Sequence, residues 1–244
     1  GKPPAGRLTG PGFFGGSQGG WIAPLAATHA PADFVAVGFG LISSPAEEDR
    51  EQVVSEMREL GYGEAEIAEA RQLADAASRI AGTHFTSGFD EFHALKQRYS
   101  NRPWFDRIKG EYTGAMMRES DADLRRIGRA EFDNVELIWD YDAEATLKRP
   151  EAPLLWVVAE KDREAPPDLT LERLASLRKQ GAQIAVYSFP DTDHGIWEFT
   201  QAPDGSRKVT RVADGYFRLV VDWIKGGVRG PYGRDAVQRS RYFS

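Results

Sequence analysis

Apolar residues recur along this chain in two rhythms, and the rhythm changes twice. Gly1 to Gly12 is rich in glycine and proline and predicts irregular structure, with Phe13 and Phe14 as the end of a strand. Gly15-Gly16-Ser17-Gln18-Gly19-Gly20 follows. Trp21, Ile22, Leu25 and Ala26 then form an apolar run suited to a buried helix, with Pro24 in its first turn. Asp33 to Phe39 is a short apolar run bounded by turn signals, which is how a strand buried inside a parallel sheet reads.

From about residue 43 to residue 148 the period becomes helical. Ser44-Pro45-Ala46-Glu47 has the spacing of a capping box, with proline at the first helical position. Val53, Val54, Met57 and Leu60 mark one helical face, closed by Gly61. Ile67, Ala70, Leu73, Ala74, Ala77 and Ile80 mark a second, closed by Gly82. Phe89, Phe92, Leu95 and Tyr99 mark a third, which must stop before Pro103, and Leu124 with Ile127 a short fourth. The only strand pattern in this block is Val135 to Trp139. The block is therefore a helical insertion of about a hundred residues.

Strand character returns at Pro153 to Ala159, where apolar residues follow one another without polar alternation, so both faces must be covered. Leu171, Leu174 and Leu177 give a helix closed by Gly181, and Gln183 to Phe189 gives the next strand. Val212, Tyr216, Phe217, Val220, Trp223 and Ile224 form the stripe of a final amphipathic helix. Residues 226–244, rich in glycine and arginine, read as a loosely held tail. Buried strands alternating with helices predict an α/β fold with a mostly parallel sheet. The expected division is a core at 1–42, the helical insertion at 43–148, core again at 149–225, and the tail.

Composition narrows the chemistry. The chain has 244 residues, 41% hydrophobic and 28% charged, and no cysteine. That excludes a disulfide scaffold, zinc–thiolate sites, iron–sulfur clusters and a cysteine nucleophile. A net charge of -6, with no large basic patch, argues against nucleic acid. No run approaches the ~18 apolar residues of a membrane helix, and no signal peptide is visible. Cysteine content leaves the compartment open; the cytoplasm is the slightly favoured expectation.

Parallel sheets place ligand sites beyond the carboxyl ends of their strands, so polar residues there are the first candidates. Ser17 lies between a strand end and a helix, with Gly15 and Gly19 two residues to either side. A serine hydroxyl needs a base to become a nucleophile. A sharp turn with small neighbours exposes it, and the N–H of Gln18, at the helix start, is positioned to meet a developing oxyanion. Asp162 follows the strand ending at Ala159 and can orient an imidazole, although Glu160 and Glu164 are close rivals. Of the four histidines, His29, His84, His93 and His194, only His194 follows a core strand. No His-x-His or His-Glu-x-x-His spacing suggests a metal, and no organic cofactor is implied.

Phe14 to Ala27, with Ser17 at its turn, resembles the nucleophile elbow and following helix of the α/β-hydrolase superfamily, nearest its dienelactone hydrolase-like, acyl-peptidase-like and bacterial esterase members. Pro153 to Pro166 resembles the acid strand and loop of that family, and Pro190 to Gly195 its histidine loop. The order serine, aspartate, histidine matches as well. The resemblance spans about residues 13 to 225. It implies Ser17 as nucleophile, Asp162 as acid, His194 as base, and the helical block as a lid inserted after the sixth strand, with Asp33 to Phe39 as that strand. It further implies a serine hydrolase of carboxylic esters, with thioesters or amides as variants and a peptidase as a lower-ranked alternative. Phe89, Trp104 and Trp197, with Phe92, Tyr99 and Phe105, are candidates to line an acyl pocket; the alternative is ordinary lid core for most of them and burial against the sheet for Trp197.

The family carries several strands before its elbow, whereas sixteen residues precede Ser17 here. The expectation that follows is a chain lacking the usual N-terminal strands and the second oxyanion donor they supply. Its open sheet edge would invite a homo-oligomer or a complementing chain, with reduced activity. An impaired, hydrolase-like structural or interaction protein is the alternative from a different class.

Overall fold

The computed structural model describes residues 10–232 and the two-residue strand Gln238–Arg239. Residues 1–9 of the stretch expected to be irregular, and residues 233–237 and 240–244 of the expected tail, lie outside the described residues. The chain divides into two compact units, one formed by Gly1–Ile42 with Ala143–Ser244, the other by Ser43–Asp142.

The first unit is an α/β structure around a mostly parallel sheet. Its strands β1 (Gly12–Gly16), β2 (Phe34–Gly38), β3 (Leu154–Ala159) and β4 (Ile184–Phe189) lie side by side in chain order, all parallel. The described pair Gln238–Arg239 adds antiparallel to β4. Helix α1 (Gly19–His29) joins β1 to β2. The sequence pattern explains the burial: Ala36, Leu155, Val157, Ala159, Ala185, Tyr187 and Phe189 share one face with a helical stripe of Tyr216, Leu219, Val220 and Trp223. The alternate residues Val35, Val37, Leu154, Trp156, Val158, Ile184 and Val186 are equally buried. A sheet covered on both faces needs continuous apolar strands, and each large side chain so buried contributes roughly 1.5–3 kcal/mol.

Three details of this unit depart from the sequence expectation. Pro24 sits inside α1, not in its first turn, so the Gly20 carbonyl four residues earlier has no N–H to accept from there. The helix is also only half buried: Gly20, Ala23 and Pro24 face inward while Ile22 is exposed. Finally, Val212 does not open the last helix. It ends a strand of an antiparallel hairpin, Trp197–Gln201 paired with Arg207–Val212, and the helix runs Tyr216–Ile224.

The second unit is helical. Helices α2 (Pro45–Glu59), α3 (Glu64–Gly82), α4 (Phe89–Tyr99), α5 (Thr113–Arg118) and α6 (Asp121–Phe132) enclose one apolar cluster. The capping box is formed: the Ser44 hydroxyl accepts from the Glu47 N–H at 3.1 Å, and the Glu47 carboxylate accepts from the Ser44 N–H at 3.0 Å. Val135 to Trp139, expected as a strand, is irregular. Buried Asp133 takes its donors instead, accepting from the Leu137 N–H and the Trp139 indole, both at 3.0 Å, while Val135 and Ile138 face solvent. No helix among the described residues is long and apolar enough to cross a membrane.

Candidate active site

Ser17 sits where β1 gives way to α1, at the carboxyl edge of the sheet. Its N–H donates to the Gly38 carbonyl at 3.1 Å, extending the β1–β2 ladder by one residue, and its own carbonyl accepts from the Gly20 N–H at 2.8 Å. Between these two bonds the backbone turns through φ 54° at Ser17, a left-handed conformation that an L-residue adopts at a cost of roughly 1–2 kcal/mol. The turn is tight enough that a Cβ on Gly15 would lie 2.7 Å from the Gly19 Cα. Glycine at that position is therefore a steric requirement of the turn.

Asp162 and His194 emerge from the loops after β3 and β4, at the same edge. Asp162 is 5% exposed. One carboxylate oxygen accepts the N–H groups of Glu164 (3.0 Å) and Ala165 (2.8 Å) and lies 3.2 Å from His194 Nδ1, and the other lies 3.0 Å from the same nitrogen. Burial pushes the Asp162 pKa up, and the hydrogen bond and charge of His194 pull it partly back. His194 opens a short 3₁₀ turn whose next residue, Gly195, has φ 77°; a Cβ there would lie 2.4 Å from the Trp197 indole. On its far side the imidazole places Nε2 3.1 Å from Ser17 Oγ. A continuous hydrogen-bonded line thus runs from Asp162 through His194 to Ser17. Such a line can pass a proton away from a hydroxyl while the carboxylate stabilises the charged ring.

Two neighbours complete the surroundings. The edge of the Phe39 ring meets the imidazole at 5.0 Å between centroids and 78° between planes. The exposed Glu164 carboxylate lies 3.6 Å from His194 Nε2. At the start of α1, Gln18 is exposed, and its N–H has no hydrogen-bond acceptor among the described residues. Trp197 is 39% exposed and stacks its indole over Gly195, next to His194.

The remaining expected residues, Phe89 and Trp104, belong to the helical unit. Phe89 and Trp104 are 4% and 0% exposed within the apolar cluster of the helical unit, where Trp104 packs on Tyr99 and the Arg125 guanidinium covers the Phe89 ring. Their enclosure makes them core residues instead of pocket walls. His84 and His93 pair with Asp133 and Asp121 in the same unit. No group of three or more histidine, aspartate or glutamate side chains gathers as a metal set among the described residues.

Sequence reasoning missed Phe39, Asp193 and the hairpin after His194. The hairpin had a signal: Asp204-Gly205 sits between Trp197-Glu198-Phe199-Thr200-Gln201 and Arg207-Lys208-Val209-Thr210-Arg211-Val212, an Asp-Gly turn flanked by alternating residues. Phe39 had none, because an aromatic residue at a strand end reads as ordinary core.

The chain matches no protein-family model. No curated protein matches it either. Among solved structures it is similar to Pyrococcus horikoshii acylaminoacyl peptidase, at 14% identity over 76% of this chain and 20% of that one, with a TM-score of 0.36. It is also similar to proline iminopeptidase from Mycobacterium smegmatis, at 18% identity over 75% of this chain and 58% of that one, TM-score 0.37. A third is homoserine O-acetyltransferase from Bacillus anthracis, at 19% identity over 72% of this chain and 52% of that one, TM-score 0.30. The chain spans about a fifth of the length of the acylaminoacyl peptidase. Likenesses this distant assign no role to any residue of this chain.

Proposed function

We propose that this chain carries the active site of a serine hydrolase of the α/β-hydrolase type, cleaving carboxylic esters through an acyl-enzyme on Ser17. One observation carries the reading: Asp162, His194 and Ser17 are joined by hydrogen bonds of 3.0 and 3.1 Å, with the serine held at φ 54° on a strand-to-helix turn. A serine placed in this strained conformation, with a base at its hydroxyl, is costly to maintain and has an evident chemical use.

In this mechanism His194 Nε2 takes the Ser17 proton as Oγ attacks the substrate carbonyl. Asp162 fixes the tautomer that leaves Nε2 free to accept, and stabilises the imidazolium that forms. The N–H of Gln18, at the positive end of α1, donates to the oxyanion, a contribution of about 3 kcal/mol to the barrier. His194 returns its proton to the leaving alcohol. Water activated by the same imidazole then releases the acid. Every proton is handled by these side chains, so the sequence of steps calls on no metal or organic cofactor. Trp197, beside His194 and partly exposed, is the side chain we assign to contact the substrate; Phe89 and Trp104 have no part in it.

The test is labelling with a fluorophosphonate probe followed by peptide mapping. Modification at Ser17 that disappears in His194→Ala is the expected result. A folded chain that takes no label refutes the proposal. A panel of p-nitrophenyl esters of increasing acyl length, run beside aminoacyl anilides, separates an esterase from a peptidase.

A further inference from the structure

We propose that Arg207 is a positioning residue for this site: one of its nitrogens clamps the loop bearing Asp162 to the loop bearing His194 and so sets the hydrogen bond between them. The inference rests on the hydrolase reading for its kinetic consequences, though not for its geometric one.

Arg207 opens the second strand of the hairpin that follows His194. Its Nη1 donates both to the carbonyl of Lys161, at 2.5 Å, and to Asp193 Oδ2, at 2.7 Å. Lys161 immediately precedes Asp162, and Asp193 immediately precedes His194. The other oxygen of Asp193 accepts the backbone N–H of His194 at 2.9 Å and that of Arg163 at 3.1 Å. The residues on both sides of Asp162, and the backbone of His194 itself, are therefore gathered on one Arg207–Asp193 pair. Arg163 in turn donates through its guanidinium to the Gly205 carbonyl at the hairpin turn, at 3.0 Å. The pair is mostly shielded, with side chains 11% and 20% exposed, and the Arg207 guanidinium is backed by the Phe199 ring at 4.2 Å.

This arrangement answers a mechanical need. Asp162 and His194 both sit on loops, and loops hold geometry less well than strands or helices. A productive site needs its members held within about 0.5 Å. Two loops that each hang from one strand acquire that precision when they are cross-bonded. The same pair also settles a charge problem, because the Asp193 carboxylate repels that of Asp162 and the guanidinium offsets it.

The experiment uses the full chain and three variants. Asp193→Asn keeps the oxygen that accepts from His194 and Arg163 but turns an amide NH₂ toward Arg207. Arg207→Met removes the clamp, and Arg207→Lys keeps a cationic donor there. The readouts are kcat and KM on a p-nitrophenyl ester, the rate of fluorophosphonate labelling, and the downfield proton resonance of the His194 ring N–H facing Asp162. Circular dichroism establishes that each variant is folded.

We expect Asp193→Asn and Arg207→Met each to lower kcat by roughly ten- to a hundredfold, the scale of a small misplacement at a reacting centre. KM should stay within about twofold, since neither Arg207 nor Asp193 is assigned a contact with substrate. The downfield resonance should broaden or vanish, the double variant should be no worse than either single one, and Arg207→Lys should recover most of the activity. If Arg207→Met does not fold, Asp193→Asn and Arg207→Lys carry the same comparison. A folded Asp193→Asn variant with unchanged kcat and an intact resonance overturns the clamp. A wild-type chain that takes no label refutes the hydrolase reading instead, and the resonance in the variants still decides the clamp.

Discussion

Replacing Asp162 by asparagine should abolish activity while leaving the fold as stable as before, or more so. The substitution is nearly isosteric, and the structure dictates how the amide must sit. One side-chain oxygen of Asp162 accepts two backbone N–H groups, from Glu164 and Ala165. The asparagine oxygen has to take that place, because an NH₂ there would face two donors. The NH₂ therefore faces His194 Nδ1. The NH₂ takes the nearer place, 3.0 Å from Nδ1, with the amide oxygen at 3.2 Å; a ring that accepts from it at Nδ1 carries its proton on Nε2, the nitrogen that points at Ser17 Oγ. A protonated Nε2 cannot take the serine proton, and the loss expected from a wrong tautomer is about 10⁴-fold in kcat, or ~5 kcal/mol of barrier.

Stability moves the other way. The folded-state pKa of Asp162 is raised above 3.8, with burial as the largest cause. A carboxyl whose pKa rises on folding favours the native state at low pH, and that advantage is lost as pH climbs through the folded value. At neutral pH the buried charge is a net cost to the fold, and asparagine removes it. The assay pairs ester turnover with urea unfolding at pH 7. Activity within tenfold of wild type would refute the tautomer reasoning. A variant markedly less stable than wild type would refute the desolvation reasoning.

Three further predictions concern the turn and the helical unit. Ser17→Gly and Ser17→Ala should both lose labelling. Only glycine relieves the positive φ, so it should be the more stable by about 1 kcal/mol, the strain of roughly 1–2 kcal/mol less the extra entropy glycine loses on folding; equal urea midpoints would contradict this. Gly15→Ala puts a methyl group against the backbone of Gly19, which cannot step aside cheaply. A loss of about 1–3 kcal/mol in urea unfolding, with slower labelling of Ser17, is expected. In the helical unit, burial pushes Asp49 from 3.8 up to about 6, against the hydrogen bonds it accepts from Tyr112 and Thr113. Stability should therefore fall as pH rises between these values, by at most about 3 kcal/mol, and Asp49→Asn should flatten that slope; a wild-type urea midpoint that does not change between pH 4 and pH 7 would count against it.

The sheet was legible because a strand covered on both faces must be apolar throughout, and Leu154 to Ala159 meets that condition without a break. The capping box at Ser44 was legible because its bonds are local. The order of Ser17, Asp162 and His194 was visible as polar residues after strands, and the structure brings the three within hydrogen-bond reach. What stayed hidden depends on partners remote in the chain. Val135 to Trp139 is apolar like a strand, yet Asp133 accepts the Glu136 N–H at its carbonyl and the Leu137 N–H and Trp139 indole at its buried carboxylate. Phe89 and Trp104 are large and aromatic in either role, and only their enclosure distinguishes core from pocket.

Phe39 shows how such remote dependence builds a site. It directly follows β2, at φ 42°, an unfavourable conformation for an aromatic residue, and its N–H is held by the Val157 carbonyl at 2.7 Å. The ring fills the space above Gly16, where a Cβ would lie 2.4 Å from it, and its edge meets His194. The absence of a side chain at residue 16 therefore admits an aromatic ring from the neighbouring strand, and that ring supports the imidazole that reaches Ser17, the next residue along. Strain at Ser17 and Phe39 and a buried charge at Asp162 all oppose folding. They are concentrated at the carboxyl edge of β1, β2 and β3, next to the buried strands β2 and β3. A sequence selected only for stability would place relaxed backbone at residues 17 and 39 and a neutral side chain at residue 162. Three costs thus coincide at one sheet edge, around one hydroxyl, and the proposed hydrolase chemistry would give them a use.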